Sequence, residues 1–432
     1  MRSTAIARVI GRRVWDSRAR PTVEADVVLA GGAQGRAIAP AGASTGSGEA
    51  VDLRDGGPEF GGLDVSRAVA GVNDEIAEGL HGLDATDQGA VDAALRDLDG
   101  TPDKSRLGGN ALIAVSMASA KAAAAAREQP LWACLAGSSG KDLRLPLPEI
   151  QLFGGGAHAG HRIDLQDIMV TAIGARDYVE ALDWTAEVYA AAGALLDARG
   201  QLFGLADEGG YWPAFDSNEA ALGAAVESIE RAGLTPGQDM ALSLDIAASQ
   251  FGTHGRYRLA ADGRSLDSDG LGELLEDWLR RYPIVSIEDP FAEDDPEGFR
   301  RFTAAVGQRV QIVGDDFLVT DARRIREAAA KSAANAVLIK PNQAGTLSEA
   351  REALDAARES GFAAIVSARS GESEDVTVTH LAVGWQVPQL KVGSFARGER
   401  TAKWNEGIRI AEALGGRGEL HAIEDLGAVP IR

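Results

Sequence analysis

Three acidic side chains, Asp245, Glu288 and Asp315, each close a short apolar run: LSLD (242–245), IVSIED (284–289) and VQIVGDD (310–316). Runs of this length that end in polar residues suit buried parallel strands. If the three carboxylates converge at the strand ends, their repulsion calls for a cation between them. With only oxygen ligands on offer, Mg2+ fits better than zinc and keeps positions open for water and substrate oxygens. One acid after a strand could equally cap the next helix. Three in register favour a metal, and the adjacent Asp289 and Asp316 suit capping or support of the ligands. Lys340 closes AVLIKPNQ (336–343), where Pro341 favours an extended backbone. Beside a divalent cation a lysine loses its proton more readily, as a general base for a C–H proton must. The competing reading makes Lys340 a salt-bridge partner of the carboxylates. Lys391 closes another run, QLKVGS, and Arg369 follows Ala368 at the end of AAIVSA.

Three loops add candidate groups. In DEGGYWP (207–213), Asp207 and Glu208 precede a glycine pair and two aromatics. A carboxyl against an apolar wall has a raised pKa and suits a general acid, although acid-glycine turns are common. FGGGAHAGH (153–161) carries His158 and His161 on a glycine-rich loop that reads as a closing lid. Its H-x-x-H spacing lacks helical context, which disfavours a metal pair. PAGASTGSG (40–48), around Ser44, is either a solvated linker or a loop that folds over a phosphate or metal.

These groups need a scaffold. The chain has 432 residues, 45% of them hydrophobic, enough for two or three domains or one barrel with an appendage. A formal net charge of −21 argues against nucleic acid or anionic membrane as a partner. No apolar run has membrane-helix length and the N-terminus lacks a signal-peptide core, so a cytoplasmic protein is expected. One cysteine, Cys134, leaves no disulfide framework or thiolate zinc site. Val23, Ala25, Val27 and Leu29 alternate with Thr22, Glu24 and Asp26, as in a half-buried strand. Helical segments follow at 64–80, 86–98 and 110–127, the last with Asn110 as candidate N-cap. These form a smaller α+β domain over residues 1–130. From 145 to 432 the pattern predicts parallel strands with crossover helices, an α/β TIM-like barrel. The residues closing its runs recur 43, 27, 25, 28 and 23 residues apart, near the roughly 30 of a barrel βα unit. The polar, Gly-rich stretch 251–266 in the longest gap reads as a hairpin or lid-like excursion outside the core.

Taken together the chain resembles the enolase family. The motifs that carry this run in order over residues 5–415: VWDSRARPTVEADV, GASTG, LGGNALIAVSMASAKAAAA, GGGAHAG, DEGG, LDIAAS, SIEDPFAEDD, VGDDFLVT, LIKPNQAGTLSEA, SARSGESEDVT and ERTAKWNEGIRIAEALG. The resemblance implies a Mg2+-dependent hydro-lyase with two Mg2+ per site, acting on a small phosphorylated or phosphonylated hydroxy acid. Asp245, Glu288 and Asp315 would hold the first ion and Ser44 would help hold the second. Lys340 would take the C2 proton and Glu208 would protonate the departing C3 hydroxyl. Arg369 and Ser370 would bind phosphate, Lys391 the substrate carboxylate, and His158 would close on the ligand. A homodimer or higher homo-oligomer is implied as well.

The departures from the family pattern gather at this site. Ala368 stands where a histidine is usual, Asp167 replaces a second active-site glutamate, His161 replaces Asn, Pro341 replaces Val, and YWP replaces Phe-Ala-Pro. They point to an analogue of 2-phosphoglycerate. One is the phosphonoformate ester of glycerate, whose dehydration gives carboxyphosphonoenolpyruvate, as in phosphonate biosynthesis; Ala368 would give it space and His161 or Arg162 charge. The alternatives are a glycolytic enolase with tolerated changes and a non-catalytic binding protein.

Overall fold

The structure is a computed structural model and describes residues 3–137 and 143–427; the outermost positions of the two expected domains, 1–2 and 428–432, lie outside it. Among the described residues no helix is long and apolar enough to cross a membrane. The N-terminal part opens with an antiparallel sheet of strands Ile6–Trp15, Pro21–Leu29 and Gln34–Ile38. Val23, Ala25, Val27 and Leu29 are buried on one face, as their alternation requires. On the other face Arg12 and Arg36 pair with Glu24 and Asp26, so even the polar residues of the middle strand are covered. Helices Gln88–Asp99 and Gly109–Ala126 pack beneath, after a helical stretch from Ser66 to Leu80 that contains one wider turn at Val72–Ile76. A Cβ on Gly35 would lie 2.2 Å from the Ala118 carbonyl oxygen, so the sheet touches the long helix through glycine. Asn110 does not cap that helix. Gly108 holds the cap position, and the Asn110 amide instead donates to the Leu53 carbonyl at 3.1 Å.

The expected α/β barrel is present, closed from eight strands. In chain order they are Leu147–Gly154, Asp167–Thr171, Ala241–Asp245, Ile284–Glu288, Gln311–Gly314, Ala336–Ile339, Ala363–Ser367 and Gln389–Gly393, the last pairing with the first. The second strand departs from the all-parallel expectation, being antiparallel to both neighbours. Its connection to the first strand, 155–166, contains no crossover helix of the kind a parallel return needs. Reversal puts the start of this strand, Asp167, in register with Asp245, at the end of the barrel where the other strands finish. Two helices, Tyr178–Ala198 and Asn218–Arg231, then follow in succession, separated by a short hairpin. The stretch 251–266 is indeed hairpin-like, part of a small three-stranded sheet, but it is not outside the core. Tyr257 and Leu259 are buried, and the Tyr257 ring stands edge-on to Phe291.

Polar knots hold the two parts together. Asp92 accepts from the Ser348 amide at 2.8 Å and from the Ser348 and Ser116 hydroxyls at 2.6 Å each. Lys121 pairs with Asp375 at 2.8 Å, and the same carboxylate accepts from the Ile38 amide at 3.1 Å. Burial alone would raise the Asp375 pKa, yet the Lys121 charge and hydrogen bonds from Lys121 and Thr377 lower it to about 2 from an ordinary 3.8. A depressed carboxylate stabilises the fold above its unfolded pKa and loses that stabilisation as pH falls through the folded value. Lys121→Met is therefore expected to cost about 2 kcal/mol at pH 7, at ~1.4 kcal/mol per pKa unit. The gap to the parent protein should close as pH falls from about 4 toward 2. Urea melts of both proteins at pH 7 and pH 3 check this; a gap that does not change with pH assigns no role to the ion pair.

Candidate active site

Asp245, Lys340, Arg369, Ser370 and Lys391 line one pocket at the mouth of the barrel, while Glu288 and Asp315 stand behind its wall, each paired with a lining lysine. Asp245 and Glu288 end the third and fourth strands; Asp315 and Lys340 lie one residue beyond the fifth and sixth. Ala368, Arg369 and Ser370 follow the seventh strand, and Lys391 lies within the eighth. Lys340 sits in extended backbone just ahead of Pro341, which begins a short helix. The pocket wall also includes Ser44, His158, Asp167 and Glu208, each from a different segment.

The three proposed metal carboxylates do not meet as one knot. Lys391 Nζ lies 2.9 Å from Asp245 Oδ2 and 2.6 Å from Glu288 Oε2, with Asp167 Oδ2 at 3.8 Å, while Lys340 pairs with Asp315. Buried lysine cations thus neutralise what would otherwise be clustered negative charge. Burial and the nearby Asp245 raise the Glu288 pKa, against the pull of Lys391. Asp315 moves the other way: burial would raise it, but the charges of Lys340 and Arg369 hold it below the ordinary carboxylate range. Burial would lower the Lys340 pKa, but the charge of Asp315 outweighs that and raises it, and the two side chains form a buried salt bridge. Asp289 accepts from the backbone N–H groups of Asp315 and Asp316 at 2.9 and 2.8 Å and so shapes the turn that presents Asp315.

A divalent cation fits this donor set. Glu288 Oε1 is buried with no hydrogen-bond partner, and the Asp245, Glu288 and Asp315 donors are all oxygens. Among the described residues two sets of possible ligand atoms lie within 4.8 Å of one another, Asp289, Asp315 and Asp316 in one and His158, Asp167 and Glu208 in the other.

His158 is folded onto the pocket. Its Nδ1 lies 2.8 Å from Asp167 Oδ1 and its Nε2 3.8 Å from Glu208 Oε1. Burial disfavours its charged form, but Asp167 and Glu208 outweigh that and raise the pKa to about 9. Asp167 responds in kind: burial opposes ionisation, while the His158 and Lys391 charges and a hydrogen bond from Gln151 lower it to about 2. Gln250 anchors the glycine-rich loop by accepting from the Ala157 N–H at 2.8 Å.

Two expectations need correction. His161 is exposed, at φ 55°, and does not line the pocket; Arg162 is likewise exposed, its guanidinium 3.9 Å from the Phe203 ring centroid. Both side chains follow Gly160 to the outer side of the loop. Nor do the aromatics of DEGGYWP wall Glu208, since Tyr211 stacks on Tyr189 at 4.4 Å and Trp212 packs over Gly160. Sequence reasoning also missed several residues here. Gln166 donates to Asp245 Oδ2 at 2.9 Å, and Arg18 reaches over from the first hairpin to donate to Ser370 Oγ at 3.1 Å. Glu49 pairs with Arg369 at 2.9 Å. The signal for Arg18 was its place in WDSRARP, a turn rich in arginine; Gln166 and Glu49 had none.

Comparison with known proteins shows the family. The family model "Enolase, N-terminal domain" matches residues 6–135, and "Enolase, C-terminal TIM barrel domain" matches 142–427. Similar curated proteins include Enolase 1 of Desulfitobacterium hafniense (strain Y51), 47% identical over 418 residues, covering 96% of this chain and 95% of that protein. Enolase of Rubrobacter xylanophilus is 48% identical over 416 residues, covering 95% and 96%.

Proposed function

Because the chain belongs to the enolase family of carbon–oxygen hydro-lyases, we propose that it dehydrates 2-phosphoglycerate to phosphoenolpyruvate, the alternative of the two catalytic readings of the sequence. The observation that carries this is one pocket lined by a lysine for the proton, Lys340, a carboxyl for the hydroxyl, Glu208, and the cation Arg369. Near-full-length similarity to proteins named enolase supports it over an analogue.

In this reading Asp245, Glu288 and Asp315 would hold one Mg2+, and Ser44 would help hold a second. Bound there, the ions would supply positive charge against the substrate carboxylate as negative charge builds on it, and with Asp315 engaged as a ligand Lys340 would be held less firmly in its protonated form. Lys340 Nζ takes the proton from C2, and Glu208 gives a proton to the C3 hydroxyl, which leaves as water. The His158 imidazolium, held by Asp167, keeps a positive charge beside Glu208. Arg369 and Ser370 receive the phosphate and Lys391 the carboxylate. His161 takes no part. The same reading has the protein acting in the cytoplasm as a homodimer or larger homo-oligomer.

The phosphonoformate ester of glycerate stands as a second reading on one observation, that Ala368 lines the pocket with a methyl group. Against it, neither His161 nor Arg162, the side chains expected to meet the extra carboxylate, lines that pocket. The test is absorbance of the enolpyruvate product with each ester in Mg2+, with a chelator control. Turnover of 2-phosphoglycerate in the ordinary enzyme range of about 1–1000 s⁻¹ supports the first reading. Turnover of the phosphonoformate ester alone transfers the proposal to the second, and no turnover of either favours a binding protein.

A further inference from the structure

We propose that Glu49 is a positioning residue that sets the orientation of Arg369 for the phosphate end of the ligand and links it to the carboxylate of Asp315. This rests on the reading above that Arg369 meets a phosphate. Glu49 lies just after the Ser44 loop, 320 positions from Arg369 in sequence, and both side chains are buried at their meeting point.

An arginine has five N–H donors in a rigid fork. The Arg369 Nη1 group donates to Glu49 Oε2 at 2.9 Å and to Asn342 Oδ1 at 3.3 Å. Its Nη2 group donates to the Ser44 carbonyl at 2.9 Å and to Glu49 Oε1 at 3.2 Å. That occupies four donors and leaves Nε–H without a protein acceptor among the described residues. The bidentate carboxylate fixes the plane of the fork, so the direction of the remaining donor is fixed as well.

Glu49 Oε1 also accepts from the Gly46 N–H at 2.9 Å, closing the loop, and from Gln343 Nε2 at 3.2 Å. Gln343 Nε2 in turn donates to Asp315 Oδ1 at 2.9 Å. One carboxylate therefore joins the Ser44 loop, the phosphate-facing cation and a metal-facing carboxylate.

Charge and position make opposite forecasts for Glu49→Gln. Removing a negative charge beside Arg369 would by itself tighten anion binding. Losing the bidentate clamp frees the fork and weakens binding. We expect Glu49→Gln to raise both the Kd for inorganic phosphate in saturating Mg2+ and the KM for 2-phosphoglycerate about tenfold, with kcat within about threefold. Glu49→Asp, which keeps the charge but withdraws the carboxylate by one methylene, should fall between. An NMR readout serves without substrate. The Arg369 Nε–H resonance, assigned by its loss in Arg369→Lys, should be sharp in the parent protein and broadened in Glu49→Gln. Unchanged or tighter phosphate binding together with an unchanged resonance overturns the proposal. If the parent protein neither binds phosphate nor turns over the ester, the functional reading has failed, and the resonance alone decides the role of Glu49.

Discussion

Replacing Lys340 with methionine is expected to lower kcat for 2-phosphoglycerate by about 10²–10⁴, the range a general base contributes, while KM changes little. Methionine keeps most of the stem that reaches Asp315 and removes the nitrogen proposed to accept the C2 proton. Because proton removal precedes departure of the hydroxyl in the proposed sequence, exchange of the C2 hydrogen with deuterium from solvent separates the steps. Parent protein should exchange it, Lys340→Met should not, and Glu208→Gln should exchange without forming product. Exchange that survives in Lys340→Met would assign the base to another group. The substitution also strips Asp315 of its cation, so calorimetry of Mg2+ binding should accompany the kinetics to show that the metal carboxylates remain competent.

The second large effect concerns stability. Lys391 is the shared cation of Asp245 and Glu288, with Asp167 next in line. Lys391→Met leaves these buried carboxylates facing one another, and breaking a buried ion pair from one side typically costs about 3–5 kcal/mol. In chelator the variant should melt well below the parent. Mg2+ should recover part of the loss, since a divalent ion at the same oxygens restores the missing charge by mass action. A melting temperature in chelator equal to that of the parent would show that the carboxylates protonate without penalty. Recovery by Mg2+ that exceeds the gain seen in the parent would place ion and lysine in competition for the same oxygens.

Much of this site was legible because a parallel barrel strand ends where chemistry occurs, and its apolar run marks that end. Asp245, Glu288, Asp315, Lys340 and Lys391 each mark such a run; Asp245, Lys340 and Lys391 line the pocket, and Glu288 and Asp315 pair with its two lysines. Asp167 was invisible to that logic, because its strand runs backward and it stands at the beginning of the run; only the family resemblance pointed to it. Arg18 and Glu49 come from the N-terminal part, and nothing in local periodicity reports a partner some 300 residues away. The aromatic wall beside Glu208 failed for a related reason, since side chains three and four positions on turn to meet Tyr189 and the glycine-rich loop instead. In the fold, alternation found the first sheet and the apolar runs found six barrel strands. The two strands before residue 172 escaped because a glycine-rich connection, rather than a helix, divides them.

The knot that docks the two parts also fixes an order of events at the ribosome. Asp92 and its partner Ser348 are 256 residues apart. At about 5–20 residues per second of synthesis, the N-terminal sheet and helices emerge on the order of 10–50 s before the chain that completes the Asp92 hydrogen bonds. Through that interval the carboxylate has the Ser116 hydroxyl and the Gln88 amide for company, and the surface that will meet the barrel faces water. The nascent N-terminal part must therefore hold its shape, or be shielded by a chaperone, until the sixth barrel strand and the helix Leu347–Glu359, which carries Ser348, have left the exit tunnel.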